Sequence, residues 1–180
     1  MTTKPLCVMV TGRPGSGKTT LARMLGERLW LPVISRDALK EGYVATFGVS
    51  HAQLPPETNA VVSRVFFELV QQTLSGKVSV IIEAAFQHHV WAPEIPRIRE
   101  LAEALLVVCV VDAEIAAQRR LERGLARPEW EHYHGDASPG EYVIPHFDVP
   151  TLHVATQEGY SPSLEVLVDS IRARRYVRSN

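Results

Sequence analysis

The stretch VTGRPGSGKTT, residues 10–20, determines how the rest of this chain is interpreted. Residues 12–19 match the pattern G-x-x-x-x-G-K-[ST] in full, directly after a short apolar run and directly before a helical pattern. Glycines let the backbone N–H groups of such a loop turn inward, and the following helix adds the partial positive charge of its N-terminus. The stretch therefore predicts a loop that binds nucleotide phosphates. The alternative is a glycine-rich turn that holds no ligand.

Two side chains of this loop have expected chemical roles. Lys18 is predicted to reach the β- and γ-phosphates, and the Thr19 hydroxyl is predicted to ligate Mg²⁺. The residues predicted to contact the nucleotide are Gly12, Arg13, Pro14, Gly15, Ser16, Gly17, Lys18, Thr19 and Thr20. Nucleotide binding alone does not say whether the γ-phosphate goes to water, to a small molecule or nowhere. Residues further along the chain must decide this.

The composition is that of one ordinary globular domain spanning residues 1–180. Hydrophobic residues make up 46% of the chain, charged residues 22%, and the net charge is -1. Such a charge creates no field that would attract nucleic acid or anionic lipid. No apolar run reaches the about 18 residues of a membrane span, and Met1 leads into the phosphate motif without room for a signal peptide. We therefore expect a cytoplasmic protein that binds no membrane, and the charge does not favour nucleic acid as a partner.

Short apolar runs alternate with helical patterns along the chain. The runs typical of buried parallel strands are residues 6–10, 32–35, 78–83, 105–111 and 150–155. Apolar residues at helical spacing fall within residues 21–29, 62–73, 95–105, 115–121 and 164–171. This alternation predicts a three-layer α/β domain with a parallel sheet. The two cysteines, Cys7 and Cys109, lie inside apolar runs and are expected to be buried thiols.

One long segment departs from this alternation. Residues 124–146 contain three prolines and three glycines without a sustained period. We predict that this segment is a long loop or a mobile lid over a site, because long irregular segments in compact domains are usually functional or disordered.

Two carboxylates follow predicted strands. Asp37 comes just after the second strand, and Glu83 ends the third, at the sheet edge where ligands bind in open parallel sheets. Asp37 is predicted to accept a proton from a substrate hydroxyl, and Glu83 to orient Mg²⁺ through water. The alternatives are that Asp37 only caps the following helix and that Glu83 is an ordinary polar strand end.

A run of arginines precedes and enters the presumed lid. Arg119, Arg123 and Arg127 are spaced four apart and so share one helical face. Guanidinium groups carried by a closing lid would stabilise the charge on a transferred phosphoryl group. The alternative is a solvated charged face with Glu122 as a partner.

These features together resemble the P-loop small-molecule kinases. The resemblance rests on residues 12–19, Ser35-Arg36-Asp37, Glu83, the run RRLERGLAR at 119–127 and the run TQEGYSPSLEVL at 156–167. The chain is similar to the branch of AAA_33 kinases related to chloramphenicol phosphotransferase, gluconate kinase, adenylylsulfate kinase and zeta toxins.

This resemblance implies a sheet in the order 2-3-1-4-5, ATP with Mg²⁺ as cofactors, and transfer of the γ-phosphate to a hydroxyl. It implies that Asp37 is the base, that Arg119 lies against the adenine, and that Arg123 or Arg127 meets phosphate. The same order sets strands 1 and 4 side by side, which makes Cys7 and Cys109 possible neighbours. The chain departs from the family at Ala155, where an acid is common, and in the lid sequence at residues 131–136.

Residues 39–75 replace the acceptor-binding region of nucleotide kinases, and we expect them to bind the acceptor. Tyr43 and Phe86, with Phe47 and Trp91, could form the wall of a partly apolar pocket or could equally be core. Two polar side chains are also predicted to contact the acceptor, Arg36 and His88.

Three functions fit the sequence. The first is an ATP-dependent kinase acting on a small-molecule hydroxyl, with Asp37, Lys18, Arg123 and Arg127 as its catalytic residues. The second is a nucleotide or polynucleotide 5′-kinase, which would need a basic groove leading to Asp37. The third is an ATP-binding toxin-like or regulatory module that turns over no metabolite.

Overall fold

A computed structural model describes residues 4–127, 129–134 and 142–176. Its strands are β1 Leu6–Gly12, β2 Val33–Ser35, β3 Val80–Glu83, β4 Glu103–Val110 and β5 Thr151–Ala155. Its helices are α1 Lys18–Leu29, α2 Arg36–Phe47, α3 Thr58–Ser75, α4 His88–Trp91, α5 Ile95–Leu101, α6 Ala113–Ala126, α7 Glu129–His134 and α8 Leu164–Tyr176. A single 3₁₀ turn, His51–Gln53, lies between α2 and α3.

The five strands form one parallel sheet in the order β2-β3-β1-β4-β5. This confirms both the α/β class and the predicted strand order. Because all five strands run the same way, their carboxyl ends, and the loops that follow them, meet at one edge of the sheet. The phosphate loop, the start of α2 and the segment after β3 all begin at that edge.

Two apolar layers cover the sheet. One face packs against α3 and α5, with Phe66, Val70 and Ile98 fully or almost fully buried. The other face packs against α1 and α8, with Leu25 and Leu167 buried. The central strand β1 is buried at every residue because it lies between these layers and between two neighbouring strands. The three-layer prediction is therefore confirmed.

The boundary between α5 and β4 is earlier than predicted. The helical pattern within residues 95–105 was expected to include Ala102 and Leu105, but α5 ends at Leu101 and β4 begins at Glu103. A fully buried parallel strand is a continuous apolar run, so its first residues also satisfy the spacing of a preceding helix. Spacing alone could not separate the two elements.

The two cysteines are buried but are not neighbours. Strands β1 and β4 are adjacent, yet their register pairs Cys7 with Ala104 and Cys109 with Gly12. The thiols therefore stand at positions five residues apart along the strands, roughly 16 Å, and they face opposite apolar layers. Burial raises the pKa of each thiol to about 12. The expectation of neighbouring cysteines is wrong because strand order does not fix register.

The presumed lid, residues 124–146, is partly helical. Gly124 lies inside α6, which continues to Ala126, and α7 occupies Glu129–His134. The prediction of a long irregular loop is wrong for these residues. The sequence of α7, EWEHYH, is polar and aromatic without an apolar period, so no pattern indicated a helix there. Residue 128 and residues 135–141 of the predicted lid lie outside the described residues.

No helix in the described part of the chain combines the length and the apolar character that crossing a membrane requires.

Candidate active site

The phosphate loop connects the end of β1 to the start of α1, as predicted. Gly15 and Gly17 have positive φ angles of 88° and 78°, a conformation that favours glycine. A side chain at Gly15 would also collide with the carbonyl oxygen of Ala116. Gly17 precedes α1 without a side-chain cap, which leaves the first N–H groups of the helix to a ligand. The buried hydroxyl of Ser16 has no hydrogen-bond partner among the described residues.

A buried ion pair stands beside this loop. The Nζ atom of Lys18 lies 3.6 Å from Oε1 of Glu83, and both side chains are almost fully buried. The other carboxylate oxygen of Glu83 accepts a hydrogen bond of 2.7 Å from the Ser35 hydroxyl. In the described part of the chain, Oε1 has no hydrogen-bond partner. Lys18 and Glu83 thus lie together at the sheet edge, and a hydrated cation would find an available carboxylate oxygen there.

Ser35 has a structural role that was not predicted from the sequence. It is the N-cap of α2 and accepts a hydrogen bond from the Ala38 N–H. Its hydroxyl also donates to Glu83 and so links β2 to β3. The preference of serine for N-cap positions is the signal that could have identified it.

Asp37 lies in the first turn of α2 and does not cap it, since Ser35 is the cap. The alternative that Asp37 serves only as a cap is therefore wrong. Its Oδ1 atom lies 3.5 Å from Nη1 of Arg36. Burial acts to raise the pKa of Asp37, but the positive charges of Lys18, His134 and Arg36 outweigh it, and the pKa falls below its ordinary value. The carboxylate is consequently ionised at neutral pH and able to accept a proton.

Arg119 contacts the loop that follows β5. One of its Nη atoms donates to the carbonyl oxygens of Thr156 and Gln157, each at 2.8 Å. Arg123 is exposed on α6, and Arg127 pairs with Glu129 at 3.3 Å. The described structure thus gives Arg119 and Arg127 protein partners, and the nucleotide contacts predicted for these arginines stay predictions.

Thr156 is a second residue that sequence reasoning missed. Its buried hydroxyl donates to the carbonyl of Ser16 at 2.8 Å, within reach of the Val110 carbonyl at 3.3 Å. Together with Arg119 it connects the loop after β5 to α6 and to the phosphate loop. The two hydrogen-bonded residues are 140 positions apart, and a lone threonine after a strand gives no sequence signal for such a contact.

Phe86 and Trp91 are core residues. Their rings pack edge to face with each other at 5.4 Å and with Phe66. Phe67 stacks on Phe86 and meets Trp91 edge to face. Phe86 is only 9% exposed, and the guanidinium of Arg36 lies 5.9 Å above its ring. Both aromatic residues therefore pack in the core, and the contact predicted between Phe86 and an acceptor stays a prediction.

Tyr43 and Phe47 are different, because they lie on the outer part of α2. Tyr43 is partly buried, Phe47 is exposed, and their ring centres are 5.1 Å apart. A contact between Tyr43 and an acceptor stays a prediction.

His88 is the first residue of the short helix α4. Its Nδ1 atom accepts a hydrogen bond of 3.3 Å from the His146 N–H, and its ring stacks on Phe147 at 4.9 Å. These contacts attach the segment before β5 to α4. The prediction that His88 binds the acceptor is left untested by them.

Tyr142, at the end of the lid segment, is a third residue that the sequence did not reveal. Its hydroxyl lies 3.3 Å from the Thr11 hydroxyl and donates to the Phe86 carbonyl at 3.4 Å. Thr11 also accepts a hydrogen bond from the buried indole of Trp91 and donates to the Ala84 carbonyl. Tyr142 thereby connects the segment before β5 to the ends of β1 and β3.

The helix α7 contacts α2 beside Asp37. The Lys40 ammonium donates to the His134 carbonyl at 3.3 Å, and Nε2 of His134 lies 3.1 Å from the Glu41 carboxylate. The 3₁₀ turn that contains His51 packs against the same helix. Basic side chains from three elements therefore surround one end of the site.

Comparison with known proteins identifies the family. A model of the AAA_33 family, described as an AAA domain, matches residues 7–135, which is more than half of the chain. The chain belongs to the AAA_33 family. No curated protein matches this AAA_33 chain closely enough to count as a relative.

Solved structures resemble this AAA_33 chain over nearly its whole length. A proposed kinase from Chloroflexus aurantiacus is 24% identical, with a TM-score of 0.81, over 94% of this chain and 98% of that one. A gluconokinase from Sinorhizobium meliloti is 14% identical, with a TM-score of 0.59, over 99% and 100%. A shikimate kinase from Acinetobacter baumannii, solved with shikimate, is 16% identical, with a TM-score of 0.52, over 97% and 96%. At such low identities the likeness shows a shared fold, that of the P-loop kinases.

Proposed function

We propose that this AAA_33 protein is an ATP-dependent kinase that transfers the γ-phosphate of ATP to a hydroxyl of a small-molecule acceptor in the cytoplasm. The observation that carries the proposal is the Lys18–Glu83 ion pair beside the phosphate loop, with Asp37 in the first turn of α2, the helix that follows the neighbouring strand β2. The kinase fold shared with the gluconokinase and the shikimate kinase supports it. We also propose one domain over residues 1–180, with a lid near 124–146 and an acceptor region near 39–75.

The residues at the phosphate loop fit ATP and Mg²⁺. The Ser16 hydroxyl and Oε1 of Glu83 are buried polar atoms without hydrogen-bond partners among the described residues, and such atoms normally have one. The Thr19 hydroxyl and, through water, Glu83 would hold Mg²⁺. Bound Mg²⁺ would neutralise part of the phosphate charge.

The chemistry requires one proton acceptor and several cations. Asp37 takes the proton of the acceptor hydroxyl at its carboxylate while the acceptor oxygen forms a bond to the γ-phosphorus and the bond from phosphorus to the departing ADP breaks. Lys18 stabilises the negative charge on the phosphate oxygens. Arg123 and Arg127 supply further positive charge from the lid side, and Arg119 supports the adenine end.

A screen of metabolites for ADP release tests this proposal, with Lys18→Ala as a blank. The expected result is turnover with one acceptor class, which Asp37→Asn abolishes while the affinity for ATP changes less than about threefold. Asp169→Asn is the matched control, because Asp169 is exposed on α8. Unchanged turnover by Asp37→Asn would show that Asp37 is not the base.

The same screen separates the alternative functions. Oligonucleotides with free 5′-hydroxyl ends would become labelled if the protein were a polynucleotide kinase. Tight ATP binding without turnover of any acceptor, together with a co-purified protein, would indicate a toxin-like or regulatory module.

A further inference from the structure

Basic side chains from α2, the 3₁₀ turn and α7 gather next to Asp37. Arg36 and Lys40 come from α2, His51 from the turn and His134 from α7. Because Arg36 and Lys40 are four residues apart, they share one face of α2, directly beside Asp37. We call these four residues the basic cluster.

Lys40 is a buried member of the basic cluster that has no ion-pair partner among the described residues. The residue is only 3% exposed, and its ammonium donates to one carbonyl, that of His134. No carboxylate of the described residues lies within 4.0 Å of its Nζ atom, although an ammonium has three protons to donate. Burial, and next the charge of Arg36, lower the pKa of Lys40 to about 8, against the opposing effect of Asp37.

Two further nitrogen atoms of the cluster have unmet hydrogen-bond capacity. Nε of Arg36 and Nδ1 of His51 are buried and have no partner in the described part of the chain. The Arg36 guanidinium is fixed in place by Asn59, whose side-chain oxygen accepts a hydrogen bond of 2.9 Å. Buried polar groups of this kind are usually satisfied by a partner.

The two carboxylates near the cluster are already engaged. Glu41 pairs with His134 at 3.1 Å, and Asp37 faces Arg36 at 3.5 Å and the charge of Lys18. Neither comes within ion-pair distance of Lys40. The positions that remain open at the basic cluster therefore suit an anion from outside the protein.

We propose that Lys40, Arg36 and His51 bind an anionic group of the acceptor, so that the acceptor is a hydroxyl compound carrying a carboxylate or a phosphate. This inference rests on the proposed kinase function. An anion held between Arg36 and Lys40 leaves the rest of a small molecule beside Asp37, which takes the hydroxyl proton. The cluster thus selects charged acceptors over uncharged alcohols of the same skeleton.

Anion binding is tested first without turnover. The protein is loaded with Mg²⁺ and a non-hydrolysable ATP analogue, so that the phosphate loop is filled, and is titrated with inorganic phosphate and with glycerate in a calorimeter. We expect saturable binding of at least one probe, at least tenfold weaker in Lys40→Met. Lys77→Met is the matched control, because Lys77 is exposed at the opposite edge of the sheet, before β3. Failure of both probes to bind, or equal binding by Lys40→Met, would overturn the inference.

Turnover is tested second, with acids paired with alcohols of the same skeleton, such as glycerate and glycerol 3-phosphate against glycerol. We expect ADP release with charged members only, and a KM at least tenfold higher in Lys40→Met with a smaller change in kcat. The carboxylate and phosphate members distinguish the two anion types. An uncharged acceptor as the best substrate would reject the basic cluster as a subsite and leave the kinase proposal standing. Retained anion binding without any turnover would reject the kinase proposal alone.

Discussion

A single hydroxyl, that of Thr156, connects the loop after β5 with the phosphate loop. It donates to the Ser16 carbonyl while Arg119 holds the backbone of the same threonine. The conformation of the phosphate loop therefore depends on a residue that the nucleotide need not touch. In this way one side chain couples the loop after β5 to the phosphate loop.

Replacing this hydroxyl by a methyl group tests the coupling. Thr156→Val keeps the shape of the side chain but leaves the Ser16 carbonyl without its donor, which should cost about 1–2 kcal/mol in the free energy of unfolding. We expect the affinity for an ATP analogue to fall several-fold. The control Thr151→Val removes a hydroxyl that donates to Val149 at the other end of β5. Equal losses of affinity in both variants would contradict the coupling.

Because of Lys40, the free energy of unfolding should change with pH in the alkaline range. Its pKa is about 8 in the folded protein against 10.5 as the ordinary value, so the unfolded chain binds more protons between these values and stability rises with pH across them. Lys40→Met should be more stable than the wild type by about 2 kcal/mol at pH 7, allowing for screening, with a smaller advantage at pH 10. Urea unfolding at both pH values measures this.

Lys77→Met is again the control, and its effect should not change between the two pH values. If Lys40→Met raised the free energy of unfolding equally at pH 7 and at pH 10, the charge of the Lys40 ammonium would not be the cause of the difference in stability.

The sequence predicted the position of those site residues that lie at a strand end or in the first turn of the helix that follows it. Glu83 ends β3, and Lys18 and Asp37 lie in the first turns of α1 and α2, so their position at the sheet edge followed from the topology. Thr156 and Tyr142 could not be predicted, because each acts through a hydrogen bond to a residue more than 130 positions away. Polar contacts of this kind leave no periodic pattern.

At the scale of the elements, the phosphate loop and α6 lie close together at Gly15. The space at Gly15 is limited by the backbone carbonyl of Ala116 in α6, where no side chain could move aside. Helix α6 therefore limits the shape of the loop from outside the nucleotide site. The sequence motif specifies glycine at positions 12 and 17 but allows any residue at position 15. In this protein the contact with α6 requires glycine at position 15 as well.

Gly15→Ala should be strongly destabilising. The substitution combines a positive φ with a clash against backbone, and we expect a loss of about 3 kcal/mol and no detectable nucleotide binding. Gly124→Ala is the matched control, because Gly124 lies inside α6 with open space around it. That change should stabilise the protein by about 0.5–1 kcal/mol. Thermal unfolding of both variants measures the change in stability, and titration with an ATP analogue measures nucleotide binding.

At the scale of the whole molecule, the strand order determines how well each strand is protected from solvent. Strand β1 lies at the centre of the sheet between β3 and β4 and is buried at every residue, whereas the edge strand β2 has three partly exposed residues and pairs only with β3. The proposed acceptor region, residues 39–75, lies mainly in α2 and α3 and begins shortly after β2. The phosphate loop thus follows a fully buried strand, and the proposed acceptor region follows one of the two edge strands.

Hydrogen exchange followed by mass spectrometry measures this gradient. We expect peptides of β1 and β4 to exchange by global unfolding and those of β2 and α2 to exchange faster through local opening. Equally slow exchange in β1 and β2 would contradict the expectation.

The strand order could be predicted from the sequence, whereas the register could not. Apolar runs separated by helical patterns indicate parallel strands, and the family resemblance supplies their order. Register depends on side-chain packing between layers, so the positions of Cys7 and Cys109 could not be derived.

The hydrogen bond from Trp91 to Thr11 gives the protein an internal optical reporter. The indole of Trp91 is fully buried and donates to the residue that precedes Gly12, the first glycine of the phosphate loop. Trp30, by contrast, is 92% exposed. Acrylamide should therefore quench the emission of Trp30 and spare that of Trp91. The chain has a third tryptophan, Trp130. In a variant that carries both Trp30→Phe and Trp130→Phe, the fluorescence of Trp91 would follow events at the loop without any attached dye.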